Sequence, residues 1–344
     1  MAHRNFSMVE YLNQRAQDWQ PLLSFRGTTR QEWVAWRETA MAKFMELLGE
    51  FPQPVDPAPE VIYSIEQDGL VRERVIFDSE AHMSVPCTLL RPADMPATGH
   101  GRAIICSHGH GPFGKEPVAG NATTPELRAN IAMHHYNYGE EMARRGFLTL
   151  CPDLRVFGER DDGGTPYPGR DKCNVHFIRG MILGIYTLTL NIWDMKCCVD
   201  YVQTRPEIDP ERIGMMGLSQ GGTMTTFATA AEPRIRAADI MGYVNPWERF
   251  GIQRANFCGS QIVPQIFKYF DTHDIAGLIA PRPLLIEMGV HDTCFPIEDQ
   301  LQGYEGVQRI YRAAQAEDRL WAEVHPGEHA FAGNQAYEFF DRYL

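Results

Sequence analysis

The 344-residue sequence predicts an α/β protein: a mostly parallel, doubly wound sheet with a helical N-terminal extension and a cap-like insertion. Short apolar segments alternate with helical stretches along most of the chain, the pattern of strands joined by crossover helices. One such segment, Arg212 to Gly217, leads straight into a glycine-flanked serine followed by a small, apolar helical run, Thr223 to Ala231. A hydrophobic content of 44% over this length can bury roughly three quarters of the unfolded surface, which suits one large domain with an appendage.

Residues 5 to 50 carry helical periodicity, with Trp33, Trp36, Phe44, Met45, Leu47 and Leu48 on one apolar face, until Pro52, Pro54, Pro57 and Pro59 break it. The chain thus divides into an extension over 1–57 and a main domain over 58–344. Val61 to Phe77 and Met83 to Leu90 alternate and are β-branched, an antiparallel start to the sheet. Ala103 to Cys106 is a continuous apolar run suited to a central strand. Further strands are expected at Phe147 to Cys151, Ile213 to Gly217, Ala237 to Met241, Pro283 to Met288 and Leu320 to Val324. Between two of them lies the aromatic-rich insertion, about 245–275. Its Trp247, Phe250, Phe257 and Phe267 either wall a substrate pocket or form satellite core or a dimer surface. Arg160 to Tyr167 reads as a solvated loop.

A strand entering Gly217-Leu218-Ser219-Gln220-Gly221 is the nucleophile elbow of an α/β-hydrolase. The serine occupies a strained turn, so the residues two before and two after it must be small, and Gly217 and Gly221 are. The competing reading is a Gly-rich turn in which Ser219 has no task. A serine nucleophile needs a base, and the base needs a carboxylate to orient it, in the chain order serine, acid, histidine. Asp292, just past the strand ending at Met288, is the candidate acid; Glu287 and Asp239 lie within strands and read as structural or supporting carboxylates. His329, in the loop before the C-terminal helix, is the candidate base, ahead of His325 at the strand end.

Acyl transfer also needs N–H donors aimed at the developing oxyanion. One is the N–H of Gln220; the other is assigned to His110, in the Gly-flanked loop Ser107-His108-Gly109-His110-Gly111. His108 reads as a buried, hydrogen-bonded brace. The histidines at 108, 110, 134 and 135 have a rival reading as a metal cluster. No carboxylate or cysteine stands at ligand spacing beside them, and a complete serine site needs no metal or cofactor.

From about residue 10 to its C-terminus the chain resembles the α/β-hydrolase esterases grouped around acetyl xylan esterases, cephalosporin deacetylases and dienelactone hydrolases. Four segments carry the resemblance: His108-Gly109-His110-Gly111, Gly217 to Gly222, Ala280-Pro281-Arg282-Pro283 leading to Asp292, and Gly327-Glu328-His329. It implies a serine carboxylic ester hydrolase acting through an acyl-enzyme on short-acyl, acetyl-type esters, acetylated sugars among them. The chain departs from that group where it has Arg155-Val156-Phe157-Gly158-Glu159-Arg160 in place of Arg-Gly-Gln, and in its helical extension; both point to a neighbouring branch of esterases. The alternatives are a serine peptidase or amidase on the same fold and a non-catalytic binding protein.

A net charge of −12 without a basic run disfavours nucleic acid and anionic membranes as partners, leaving a small-molecule ester substrate; a homo-oligomer stays open. With no signal-peptide pattern at Met1 to Gln20 and no apolar run of about 18 residues, the expected location is cytoplasmic. The eight cysteines, mostly within apolar segments and without a C-x-x-C pair, read as buried reduced thiols, and the vicinal Cys197-Cys198 as helix packing.

Overall fold

A computed structural model describes residues 4–161, 163 and 169–344, so the centre of the Arg160–Tyr167 loop, at 162 and 164–167, lies outside the described residues. One nine-stranded sheet runs through the molecule: β1 (Glu60–Gln67), β2 (Leu70–Glu80), β3 (Met83–Pro92), β4 (Gly101–Ser107), β5 (Leu148–Pro152), β6 (Ile208–Leu218), β7 (Ala237–Met241), β8 (Leu284–Gly289) and β9 (Leu320–His325). Their order across the sheet is β1-β2-β3-β5-β4-β6-β7-β8-β9. The first three strands and the β3–β5 pair are antiparallel, and every pair from β5 to β9 is parallel. The alternation from Val61 to Phe77 reads as one segment, but it holds both β1 and β2. They are a hairpin, because Asp68 (φ 52°) and Gly69 (φ 78°) both adopt the left-handed conformation that a tight Asp-Gly turn requires.

Helices cover both faces: α1 (Met8–Gln17), α2 (Arg30–Leu48), α3 (Pro125–His134), α4 (Tyr138–Arg144), α5 (Lys172–Leu183), α6 (Thr187–Gln203), α7 (Gln220–Ala231), α8 (Ile266–Tyr269), α9 (Thr272–Gly277), α10 (Ile297–Ala313) and α11 (Ala336–Tyr343). Among the described residues no single helix is long and apolar enough to cross a membrane. α2 starts at a capping box, in which Thr29 accepts from the Glu32 N–H while Glu32 reaches back to the Thr29 N–H. Its Trp33, Ala40, Phe44, Leu47 and Leu48 belong to the same apolar core as strands β2 to β8, so the extension is packed into the main body. The segment between α1 and α2 also grips the insertion that follows β7. The Leu22 and Leu23 N–H groups donate to the carbonyls of Lys268 and Tyr269 at 3.0 and 2.9 Å. Trp19 Nε1 donates to Phe267 O at 2.9 Å, and the Phe25 N–H to Asp274 Oδ1 at 2.9 Å.

The parallel strands end together, so the loops after β4, β6, β7, β8 and β9 converge on one edge. Beside that edge, where Arg155 begins the stretch in which the sequence departs from Arg-Gly-Gln, the chain builds a buried ionic network. Arg155 forks onto Asp194 (Nε–Oδ2 2.9 Å, Nη2–Oδ1 2.8 Å) and also meets Glu80 at 2.6 Å, while Arg160 reaches Asp194 Oδ2 at 2.7 Å. Burial alone would raise the Asp194 carboxyl, but Arg160 and Arg155 outweigh it and hold it below the usual range. Asp194→Ala leaves the buried Arg160 side chain with no carboxylate among the described residues and Arg155 with Glu80 alone, and is expected to cost about 3–5 kcal/mol in urea denaturation. A loss below about 1 kcal/mol would show that water already screens the network.

Candidate active site

Ser219 joins β6 to α7 with φ 63° and ψ −116°, a conformation that L-residues adopt only where the surroundings enforce it. Three close approaches enforce it here. A Cβ on Gly221 would lie 2.1 Å from the Ser107 carbonyl oxygen, one on Gly217 would lie 2.6 Å from the Gly221 carbonyl carbon, and the Ser219 N–H donates to Met241 O at 3.0 Å. Small residues are therefore obligatory where the sequence reading placed them. All twelve residues of α7 are buried, and no side chain caps its N-terminus. The Gln220 N–H stays uncommitted among the described residues, at the positive end of the helix dipole.

Beyond β8, Asp292 is held by its own loop: Oδ1 accepts from the N–H groups of Cys294 and Phe295, both at 2.8 Å. Oδ2 accepts from His329 Nδ1 at 2.7 Å, which leaves Nε2 as the proton acceptor. His329 is fixed on three further sides. Phe295 stacks on the imidazole (centroids 5.5 Å, planes at 16°), His134 Nδ1 donates to the His329 carbonyl at 2.7 Å, and Gly242 lies beneath the ring. His325 is buried, with burial lowering its pKa, and its Nδ1 accepts from Gly327 N at 3.2 Å; it does not meet Asp292. Glu287 accepts from Ala332 N at 2.8 Å, and neither carboxylate oxygen of Asp239 has a hydrogen-bond partner among the described residues. Both carboxyls are pushed up chiefly by burial: Glu287 to about 8, and Asp239, with Glu287 beside it, well above the usual range.

The loop after β4 lies against the serine. A Cβ on Gly109 would stand 3.1 Å from Ser219 Cβ, and the Gly109 N–H is already given to Tyr136 Oη at 2.5 Å. His108 is fully buried: Nδ1 donates to Gly109 O at 2.7 Å and Nε2 accepts from Leu154 N at 3.0 Å. It braces this loop against the one after β5. That second loop supplies Asp153, which takes the Lys115 N–H (2.8 Å) and ammonium (2.7 Å), while Lys115 also reaches Glu159 at 2.5 Å. The buried Lys115–Asp153 pair was not legible in the sequence. The His110 N–H has no backbone partner among the described residues.

Ser219, His329 and His110 line one cavity of about 460 Å³ with Tyr136, Asp171, Asn174, Phe250, Phe257, Cys258, Gln261, Cys294 and Phe295. Two of the four aromatics expected in its wall are elsewhere. Trp247 is buried behind Phe257 (centroids 4.8 Å), and Phe267 packs on the core where Trp19 bonds its carbonyl. Phe295, next to the acid loop, takes the place expected for them and stacks on Phe250 at 4.0 Å. The histidines at 108, 110, 134 and 135 do not converge either, since His134 bonds His329 O and His135 bonds Glu141 and Phe331 O. All eight cysteines are free. Cys258 and Cys294 reach the cavity because they lie in loops.

The chain belongs to the Abhydrolase family, whose model matches residues 2–326. A Bacillus subtilis (strain 168) protein named "Putative hydrolase YtaP" is 28% identical over 265 residues, 74% of this chain and 81% of its own length. The fold is similar to a crystal structure described as a "putative acetyl xylan esterase" of Bacteroides fragilis NCTC 9343 (TM-score 0.75, 19% identity, 94% of this chain and 83% of that one). It is also similar to a glucuronoyl esterase from Solibacter usitatus (TM-score 0.68, 15% identity, 94% and 97%).

Gly242 has φ +53°, and a Cβ there would stand 3.1 Å from His329 Cε1 and Nδ1. Gly242→Ala is expected to tilt the imidazole and lower kcat about 10- to 100-fold, for a stability cost of only about 1 kcal/mol. Turnover within twofold of the parent would show that the ring tolerates the methyl. Because the Glu287 pKa is raised, its stabilising contribution is full below the ordinary value of 4.5 and is lost as pH rises through about 8. Thermal melts of Glu287→Gln should therefore change less than the parent's between about pH 6 and about pH 9, with a higher Tm at the alkaline end. Parallel melting profiles would contradict a buried protonated carboxyl.

Proposed function

We propose that this Abhydrolase-family chain is a serine carboxylic ester hydrolase. The reading rests on one observation: a strained serine at a strand–helix junction shares a cavity with a histidine whose Nδ1 is bound, at 2.7 Å, to a carboxylate saturated by backbone N–H groups. In this reading His329 Nε2 takes the Ser219 Oγ proton as the oxygen attacks an ester carbonyl, and the N–H groups of Gln220 and His110 receive the oxyanion. His329 then protonates the departing alcohol. Water, activated by the same base, hydrolyses the acyl-enzyme.

A short acyl group, acetyl to butyryl, is proposed because Phe250, Phe257 and Phe295 crowd the cavity that holds the serine. Asp171 and Asn174 give the same cavity hydrogen-bonding groups suited to a hydroxyl-rich alcohol such as a sugar. The fold neighbours described as acetyl xylan and glucuronoyl esterases support that direction.

Ser219→Ala and His329→Ala should each lower turnover of p-nitrophenyl acetate by about 10³-fold or more while leaving thermal unfolding intact, and Asp292→Asn should come close to them. Across p-nitrophenyl esters of increasing chain length, kcat/KM should be highest between acetyl and butyryl. A maximum at octanoyl or longer would sink the short-acyl assignment, and full activity in Ser219→Ala would sink the serine mechanism.

A further inference from the structure

Three side chains from separate parts of the fold meet beside the cavity, which His110 and Cys258 line: His110 from the loop after β4, buried Cys173 from the first turn of α5, and Cys258 from the insertion after β7. Their ligand atoms all lie within 4.8 Å of one another, and His110 Nε2 is 3.0 Å from Cys258 Sγ. The backbone around them is pinned. Asp171 caps α5 by accepting from Asn174 N at 2.8 Å, and Asn174 Oδ1 accepts from Gly259 N at 2.8 Å, tying helix to insertion beside both sulfurs. A Cβ on Gly259 would strike Phe177 at 2.3 Å, so this approach leaves no slack.

We propose that His110, Cys173 and Cys258 form a binding site for a thiophilic divalent cation of the Zn²⁺ and Cd²⁺ class. Two thiolates and one imidazole are a zinc-type ligand set, and the fourth position would be open toward the cavity. With bonds of about 2.3 Å to sulfur and about 2.0 Å to nitrogen, a tetrahedral ion needs its ligand atoms about 3.5–3.8 Å apart. The 3.0 Å contact opens to that by less than the length of a bond. Binding neutralises the ion with two sulfurs and releases the thiol protons to water. Ser260 Oγ, 2.8 Å from Cys258 Sγ, completes the surroundings as a hydrogen-bonding partner of a ligand sulfur.

The site is wired to the oxyanion side of the proposed reaction. His110 is itself a ligand, and Ser260 bonds the Gln220 side chain at 2.9 Å. An occupied site would therefore hold both residues whose N–H groups face the developing charge, and block the cavity rim. The ion is a brake on turnover rather than a participant in it.

The test uses the full chain, reduced and stripped of metal, titrated with Co²⁺ and with Cd²⁺. A thiolate-to-metal charge-transfer absorption saturating at one ion per chain is expected, abolished in both Cys173→Ser and Cys258→Ser and kept in Cys294→Ser. If a cysteine variant fails to fold, His110→Gln, expected to weaken Cd²⁺ binding at least tenfold, carries the test. Stoichiometric Cd²⁺ should lower p-nitrophenyl acetate turnover at least tenfold in the parent, reversibly with a chelator, and leave Cys258→Ser at its own metal-free rate. No thiolate band at stoichiometric metal would overturn the proposal. So would a band lost only in Cys294→Ser, which would place the ion among Asp292, Cys294 and His329. The spectra need no hydrolysis, so failure of the esterase reading leaves this test standing.

Discussion

The close packing of β6, α7 and the end of β4 is the constraint on which the rest of the site depends. The Ser107 carbonyl sits where a side chain at 221 would be, and the Gly221 backbone sits where one at 217 would be. Backbone is thus in contact with backbone on both sides of the turn, and Ser219 has no room to relax from φ 63°. Such a conformation costs of the order of 1–3 kcal/mol, which a helix buried over its whole length is well placed to offset. The same contact sets the positions of both N–H groups near the serine, since Gln220 begins α7 and Ser107 leads into the loop that carries His110.

Around that turn the loops are fixed by polar groups buried in pairs. His108 links the loop after β4 to the Leu154 N–H, Asp153 and Lys115 link the same two loops again, and Arg155 and Arg160 anchor the second of them to Asp194 in α6. A buried charge pair adds little net stability, because desolvation offsets much of the attraction, but losing one partner is costly. These pairs act as registration pins: each loop has one arrangement in which every charge is matched. The Asp292–His329 pair follows the same logic, with Asp292 Oδ1 taken by two backbone donors while Oδ2 meets His329.

The parts of the architecture that depend on local sequence were readable. Strands announce themselves by short apolar runs, and the elbow by a glycine spacing that follows from the steric contacts at 217 and 221. Asp292 and His329 could be picked because strand ends on this sheet must converge. The hairpin at Asp68-Gly69 is hidden in the sequence although its dipeptide is a turn signal, since the alternation on both sides masks the break. The cavity wall was legible only in part. Trp247 and Phe267 differ from Phe250 and Phe257 in which way a short, irregular insertion turns them, and no periodicity encodes that. The Lys115–Asp153 pair and the meeting of His110, Cys173 and Cys258 join segments tens of residues apart through loops, so only the folded chain brings them together.

The hydrogen bonds from residues 19–25 to residues 267–274 separate two properties of this molecule that usually change together. Ser219, Asp292 and His329, the groups proposed to react, lie just past the ends of strands and are set by the sheet. Phe250 and Phe257 in the wall beside them belong to an insertion whose far side is moored to a stretch of chain more than two hundred residues earlier. Variation at the beginning of the chain can therefore reshape what the cavity admits without moving Ser219, Asp292 or His329, so under the proposed function substrate range could drift in evolution while the triad stays constant.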